Sequence, residues 1–108
     1  MATELAFAAY RPKFDTREEL LEVLGEDVAT LRRRGHVTER RAPVVRAANG
    51  DVLVVIEWSS DHAVDDAHAD PEVIAVWERK GELADYIAPA ALTGLEVPFA
   101  RWTVIDEL

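Results

Sequence analysis

Cysteine is absent from this 108-residue chain, and with it go disulfides, thiolate nucleophiles and thiolate metal sites. No apolar run approaches the roughly 20 residues that cross a bilayer. Residues Met1 to Tyr10 lack the basic start, apolar centre and cleavage site of a secretory leader. The chain is therefore expected in the cytoplasm, without a membrane partner. Positive charge is scarce too: twelve Lys and Arg stand against twenty-one Asp and Glu, a formal net charge of −9. That balance repels polyphosphate at long range and argues against nucleic acid as a partner. The one basic cluster, Arg32 to Arg34 with Arg40 and Arg41 behind it, falls where a helix should end, a place that favours cations without any ligand. A Gly-rich phosphate loop, a serine elbow and a metal-ligand spacing are also missing, so no strong catalytic motif announces a reaction.

What is present suits one globular domain spanning residues 1–108, large enough to bury about two thirds of the surface its unfolded chain exposes. Residues 5–10 (LAFAAY) read as a first buried strand closed by Pro12. Asp15 or Thr16 can then cap a helix, with Glu18 or Glu19 reaching back as a capping box. Its apolar stripe is Leu20, Leu21, Leu24, Val28 and Leu31, and Gly35 ends it. Gly25 interrupts the stripe, and close packing against a sheet would explain it.

Residues 37–47 read as an irregular strand, with Pro43 at a bulge or unpaired edge, and Asn49-Gly50 signals a hairpin. The returning strand, residues 52–58, is apolar at all positions except Glu57, so both of its faces should be covered. Ser59 or Ser60 caps a short helix to His68. Asp70-Pro71 then starts a second segment carrying Val73, Ile74, Trp77, Ala84 and Ile87 at helical spacing up to Pro89. Residues 99–105 form the last strand.

Strand, helix, hairpin, helix, strand is the α+β, ferredoxin-like βαββαβ order, which implies a four-stranded antiparallel sheet with both helices on one face. The apolar opposite face needs a cover, and a second copy of the chain is the simplest one. The stretch from Pro43 to Ser60, with Ala67 to Val73 and Val76-Trp77-Glu78, resembles the dimeric α/β-barrel superfamily related to antibiotic-biosynthesis monooxygenases. The resemblance implies a homodimer whose sheets pack face to face, with a ligand pocket between sheet and helices in each subunit. It implies no single reaction, since that superfamily includes cofactor-free oxygenases, haem-degrading enzymes, isomerase-like proteins and members without known activity. The haem-degrading members place a ligating histidine about where this chain has Trp77, and neither neighbour of Trp77 is a histidine.

Candidate chemistry centres on the segment from Asp61 to His68. His62 and His68 sit about 120° apart around a helix and would not share one metal ion. His68 follows Val64 by four residues and borders the apolar face, which makes it the candidate general base, although a helix-end histidine also needs no function. Tyr86 and Arg46 are candidate holders of a developing oxyanion. Trp58, Trp77, Phe7 and Trp102 are candidate walls of a pocket for an apolar ligand, and ordinary core packing explains them equally well. Glu57 should find a partner in Arg46, Arg41 or His36, or else serve as a base itself. Two functions follow: a cofactor-independent monooxygenase or isomerase acting on an apolar enol or phenol, with no metal or flavin required, or a non-catalytic homodimer that binds a small molecule or serves as a structural module.

Overall fold

The computed structural model describes residues 2–108. Its elements are β1 (Glu4–Pro12), α1 (Arg17–Arg33), β2 (Pro43–Arg46), β3 (Val52–Trp58), α2 (Ala63–His68), α3 (Pro71–Leu83), β4 (Ala84–Ile87) and β5 (Thr103–Glu107), with one 3₁₀ turn at Pro89–Ala91. The five strands form one antiparallel sheet in the order β4-β1-β3-β2-β5. This α+β sheet has one strand more than the expected four. The additional strand is β4, at residues that carry a helical spacing of apolar side chains. Tyr86 and Ile87 pair instead with Tyr10 and Ala9 of β1, because a sheet edge supplies backbone partners that override a weak local preference. The last strand begins at Thr103, four residues later than expected, and lies beside β2 at the opposite edge from β4.

Along β3, Val52, Val54, Ile56 and Trp58 are buried while Leu53, Val55 and Glu57 are half-buried, the alternation of a pleated strand. The buried set joins Leu20, Leu24, Val28 and Leu31 of α1 and Val73 of α3 in the core. The expectation that both faces are fully covered therefore holds for one face. On the other, Leu5, Phe7 and Val104 are more than half exposed. The segment after β4 must travel from one sheet edge to the other, and Leu92 is buried on the way, outside the main core cluster.

Local signals work unevenly. Asp70 caps α3 by accepting the Glu72 N–H at 3.1 Å, with Pro71 in the first turn. Gly35, at φ 78°, ends α1 in the left-handed region where no Cβ is tolerated cheaply. Gly50, at φ 95°, closes the hairpin between β2 and β3. The capping box on α1 does not form: Thr16 precedes the helix, but its hydroxyl donates to the Lys13 and Leu83 carbonyls. Neither serine caps α2, which follows His62, and Ser59 instead donates to the carbonyl oxygens of Gly35 and His36. Gly25 touches no sheet; a Cβ there would meet only Leu108, at 3.9 Å. No described helix is long and apolar enough to cross a membrane.

Candidate functional site

β4 pairs with β1 only from Ala9 to Pro12, so the earlier half of β1 has no strand on that side. A cavity of about 300 Å³ opens beside it, lined mainly by apolar surface from β1, β3, α1, α3 and β4. Phe7, Trp58, Trp77 and Tyr86 are among its walls, and His68, at the end of α2, also lines it. Five side chains from five separate elements thus meet at one cavity of a size that suits a small ligand.

The His68 ring lies edge-on to Trp77 with centroids 4.8 Å apart, and its Nδ1 is 2.8 Å from the Val64 carbonyl oxygen. A carbonyl can only accept, so Nδ1 carries the hydrogen, and in the neutral ring Nε2 keeps the lone pair. The Val64 carbonyl, one helical turn back on α2, therefore fixes which nitrogen can take a proton. The residue is exposed at the cavity mouth. Tyr86 donates to the Trp77 carbonyl oxygen at 3.2 Å and stacks edge-on against Tyr10 at 5.4 Å.

The deepest polar feature of the cavity is Lys80 with Asp27 and Tyr10, none of which the sequence reading singled out. Lys80 is 3% exposed, and its Nζ donates to Asp27 Oδ2 at 2.6 Å and to the Tyr10 hydroxyl at 2.9 Å. The other Asp27 oxygen accepts from Trp77 Nε1 at 3.0 Å. Two of the three ammonium donors are thereby used. Around them the ammonium lies 4.8 Å from the Tyr10 ring, 5.4 Å from Tyr86 and 5.7 Å from Trp77, within cation–π range of all three. Burial, aided by the negative charge of Asp27, pushes the Tyr10 hydroxyl far above its ordinary pKa, and burial also raises Tyr86. Both phenols therefore remain neutral donors at physiological pH.

A signal for this cluster exists in the sequence. Asp27 lies between Leu24 and Val28 on the apolar stripe of α1, and Lys80 follows Val73 by seven residues on that of α3. A charged residue on an apolar helix face needs a buried partner, and here two such faces supply each other's.

Arg46 and Trp102 do not line this cavity; both border a separate one near the β2–β3 turn. Glu57 is held by Thr38 at 2.7 Å and Arg40 at 3.0 Å rather than by Arg46, Arg41 or His36. The Thr38 hydroxyl, opposed by some desolvation and helped by Arg40, keeps the Glu57 pKa below the usual range. Glu57 is among the lining residues of no cavity described here, so it fits an ion pair and not a base. Among the described residues, no three His, Asp or Glu side chains come together as a metal site.

Comparison with known proteins finds no family model, no curated protein and no solved structure that matches this chain. Its chemistry has to be argued from the geometry alone.

Proposed function

We propose that the protein is a homodimeric, ferredoxin-like α/β-barrel protein whose cavity binds an apolar enol or phenol and oxidises it without a cofactor. The observation that carries this reading is the joint placement of His68, Lys80 and four aromatic walls on one cavity. In this reading the flat apolar substrate lies against Trp58 and Trp77, which exclude water from it. His68 Nε2 takes the acidic proton. The Lys80 ammonium, through its unused donor, stabilises the oxyanion that forms, a task that takes Lys80 where the sequence suggested Arg46, and the neutral Tyr86 hydroxyl joins it by exchanging its bond to the Trp77 carbonyl for one to the oxyanion. The electron-rich ring carbon then reacts with dioxygen: the substrate loses two hydrogens, one oxygen atom enters it as a carbonyl and the other leaves as water.

The test uses 1-naphthol as probe, following binding by indole fluorescence and turnover by oxygen uptake. His68→Ala should lower the rate of the chemical step by about 10² to 10⁴-fold while leaving circular dichroism unchanged. Undiminished turnover in that variant would eliminate His68 as the base. Saturable binding without oxygen uptake in the wild type would favour a binding module instead, a reading supported by the self-contained pairing of Lys80 with Asp27 and Tyr10.

The homodimer rests on the second sheet face. Register places Phe7 opposite Val55, Leu53 opposite both Ala9 and Val45, and Val45 opposite Val104, giving an apolar strip across four strands whose outer members are exposed. Packed on a symmetric copy, such a strip would be removed from water. Sedimentation velocity at micromolar concentration should give a dimer, and Val55→Asp should convert it to monomer by placing an unpaired charge in the interface. A wild-type monomer would remove this part of the reading.

A further inference from the structure

We propose that Arg17, Arg46 and Arg101, with Trp102, form a second binding site, for a compact dianion carried on a flat ring: a phosphate monoester of an aromatic alcohol or base. The starting point is an inventory of the ten arginines. Seven of them, Arg11, Arg32, Arg33, Arg34, Arg40, Arg41 and Arg79, have a carboxylate within 4 Å. The three that have none among the described residues all line one cavity of about 390 Å³, together with Asn49, Trp102 and Thr103. In a chain with a net charge of −9, acidic partners are abundant, so the gathering of every carboxylate-free arginine at one place is not what charge balance alone produces.

The fold assembles this site from three directions. Arg46 ends β2 and faces Thr103 of β5 in the register, which brings the preceding Arg101 and Trp102 alongside. Arg17 opens α1, where the first backbone N–H groups of a 17-residue helix add positive potential. Asp51, which shares a further groove with Arg17, is engaged by Arg11 at 2.9 and 3.0 Å and by Asn49 at 3.0 Å, and it does not line the cavity. Asp15, Glu18 and Glu19 line a neighbouring groove that Arg17 also borders. Guanidinium forks match the oxygens of a phosphoryl group in pairs. Three of them suit a dianion better than a single carboxylate, and the half-buried Trp102 ring offers a stacking surface for a flat substituent.

The site is distinct from the aromatic cavity, so the two proposals stand or fall separately. Calorimetric titration with inorganic phosphate, phenyl phosphate and benzoate tests it. Phenyl phosphate should bind tightest, phosphate next and benzoate weakest. Arg17→Gln, Arg46→Gln and Arg101→Gln should each weaken phenyl phosphate by about tenfold. Arg79→Gln, which breaks an exposed pair with Glu26 instead, should leave it unchanged. Trp102→Ala should bring phenyl phosphate down to the affinity of inorganic phosphate. The substituted side chains are at least partly exposed, so folding is expected to survive and is checked by circular dichroism. The proposal is overturned by absence of saturable phenyl phosphate binding, by an equal loss in Arg79→Gln, by benzoate binding as tightly as phenyl phosphate, or by displacement of phenyl phosphate with 1-naphthol, which would place it in the other cavity.

Discussion

Lys80 and Arg46 carry the same charge in two separate cavities of one small fold, and the protein treats them in opposite ways. Lys80 is almost wholly buried, its charge matched by Asp27 and its ammonium within reach of three aromatic rings, and it meets the outside only through the cavity it lines. Arg46 lies half-buried in a cavity with two other arginines, and among the described residues no carboxylate pairs with any of the three. Desolvation explains the contrast. A buried ammonium without its counterion costs several kcal/mol, so its partner must be built in, whereas a wet guanidinium keeps its hydration and stays available to a partner from outside. An interior charge is thus part of the fold, and a surface cluster is an opportunity for binding.

The sharpest way to break this comparison is to remove one member of the buried pair. Lys80→Met leaves Asp27 charged in an apolar setting and should cost about 3–5 kcal/mol in urea unfolding. The double variant Lys80→Met, Asp27→Leu should recover most of that loss, yet still fail to bind 1-naphthol in the proposed manner. A double variant as unstable as the single would show that packing, not charge, sets the cost.

Asp70 provides an intermediate case, a buried carboxylate held by a surface arginine. Hydrogen bonds from His36 and Arg34, both at 2.8 Å, keep its pKa well below the ordinary 3.8, with the Glu72 N–H assisting against desolvation. A depressed folded-state pKa contributes stability that is present above the ordinary value and lost as pH falls below about 4. Asp70→Asn keeps a capping side chain but lacks the charge, so the stability gap between wild type and variant should be open at pH 6 and narrow steadily below pH 4. Denaturant midpoints across that range check it; a gap independent of pH would mean that the ion pairs contribute nothing.

The smallest effect concerns α1, which carries Arg17 at one end and Asp27 in its middle and so connects both regions. Gly25 has room for a Cβ, and Gly25→Ala should raise stability by about 0.5–1 kcal/mol without altering either site. A destabilised variant would reveal a packing constraint at Leu108.

Much of the framework was legible because it depends on near neighbours. Residues 20–31 show a helical stripe, Asn49-Gly50 demands a turn, and Asp70-Pro71 starts a helix, each by chemistry contained within a few positions. His68, Trp58, Trp77, Phe7 and Tyr86 were also nameable as residue types suited to a pocket. The Lys80 and Asp27 pair was missed because attention to apolar stripes passes over the charged residues lying on them, although that is where an interior ion pair leaves its mark.

By itself the sequence determined the α+β class, the hairpin, the two long helices and the sealing of one sheet face, all consequences of periodicity and of residues with restricted backbone angles. Only the tertiary structure decided the rest. Ala84 to Ile87 became a strand because the open edge of β1 was there to pair with, which no local window can register. Lys80 met Asp27 across 53 positions of sequence, and Arg17 and Arg46 met Arg101 from still farther away, because helix packing and strand order set those distances. Burial then separated the two groups, forcing a counterion on the lysine and leaving the arginines without one.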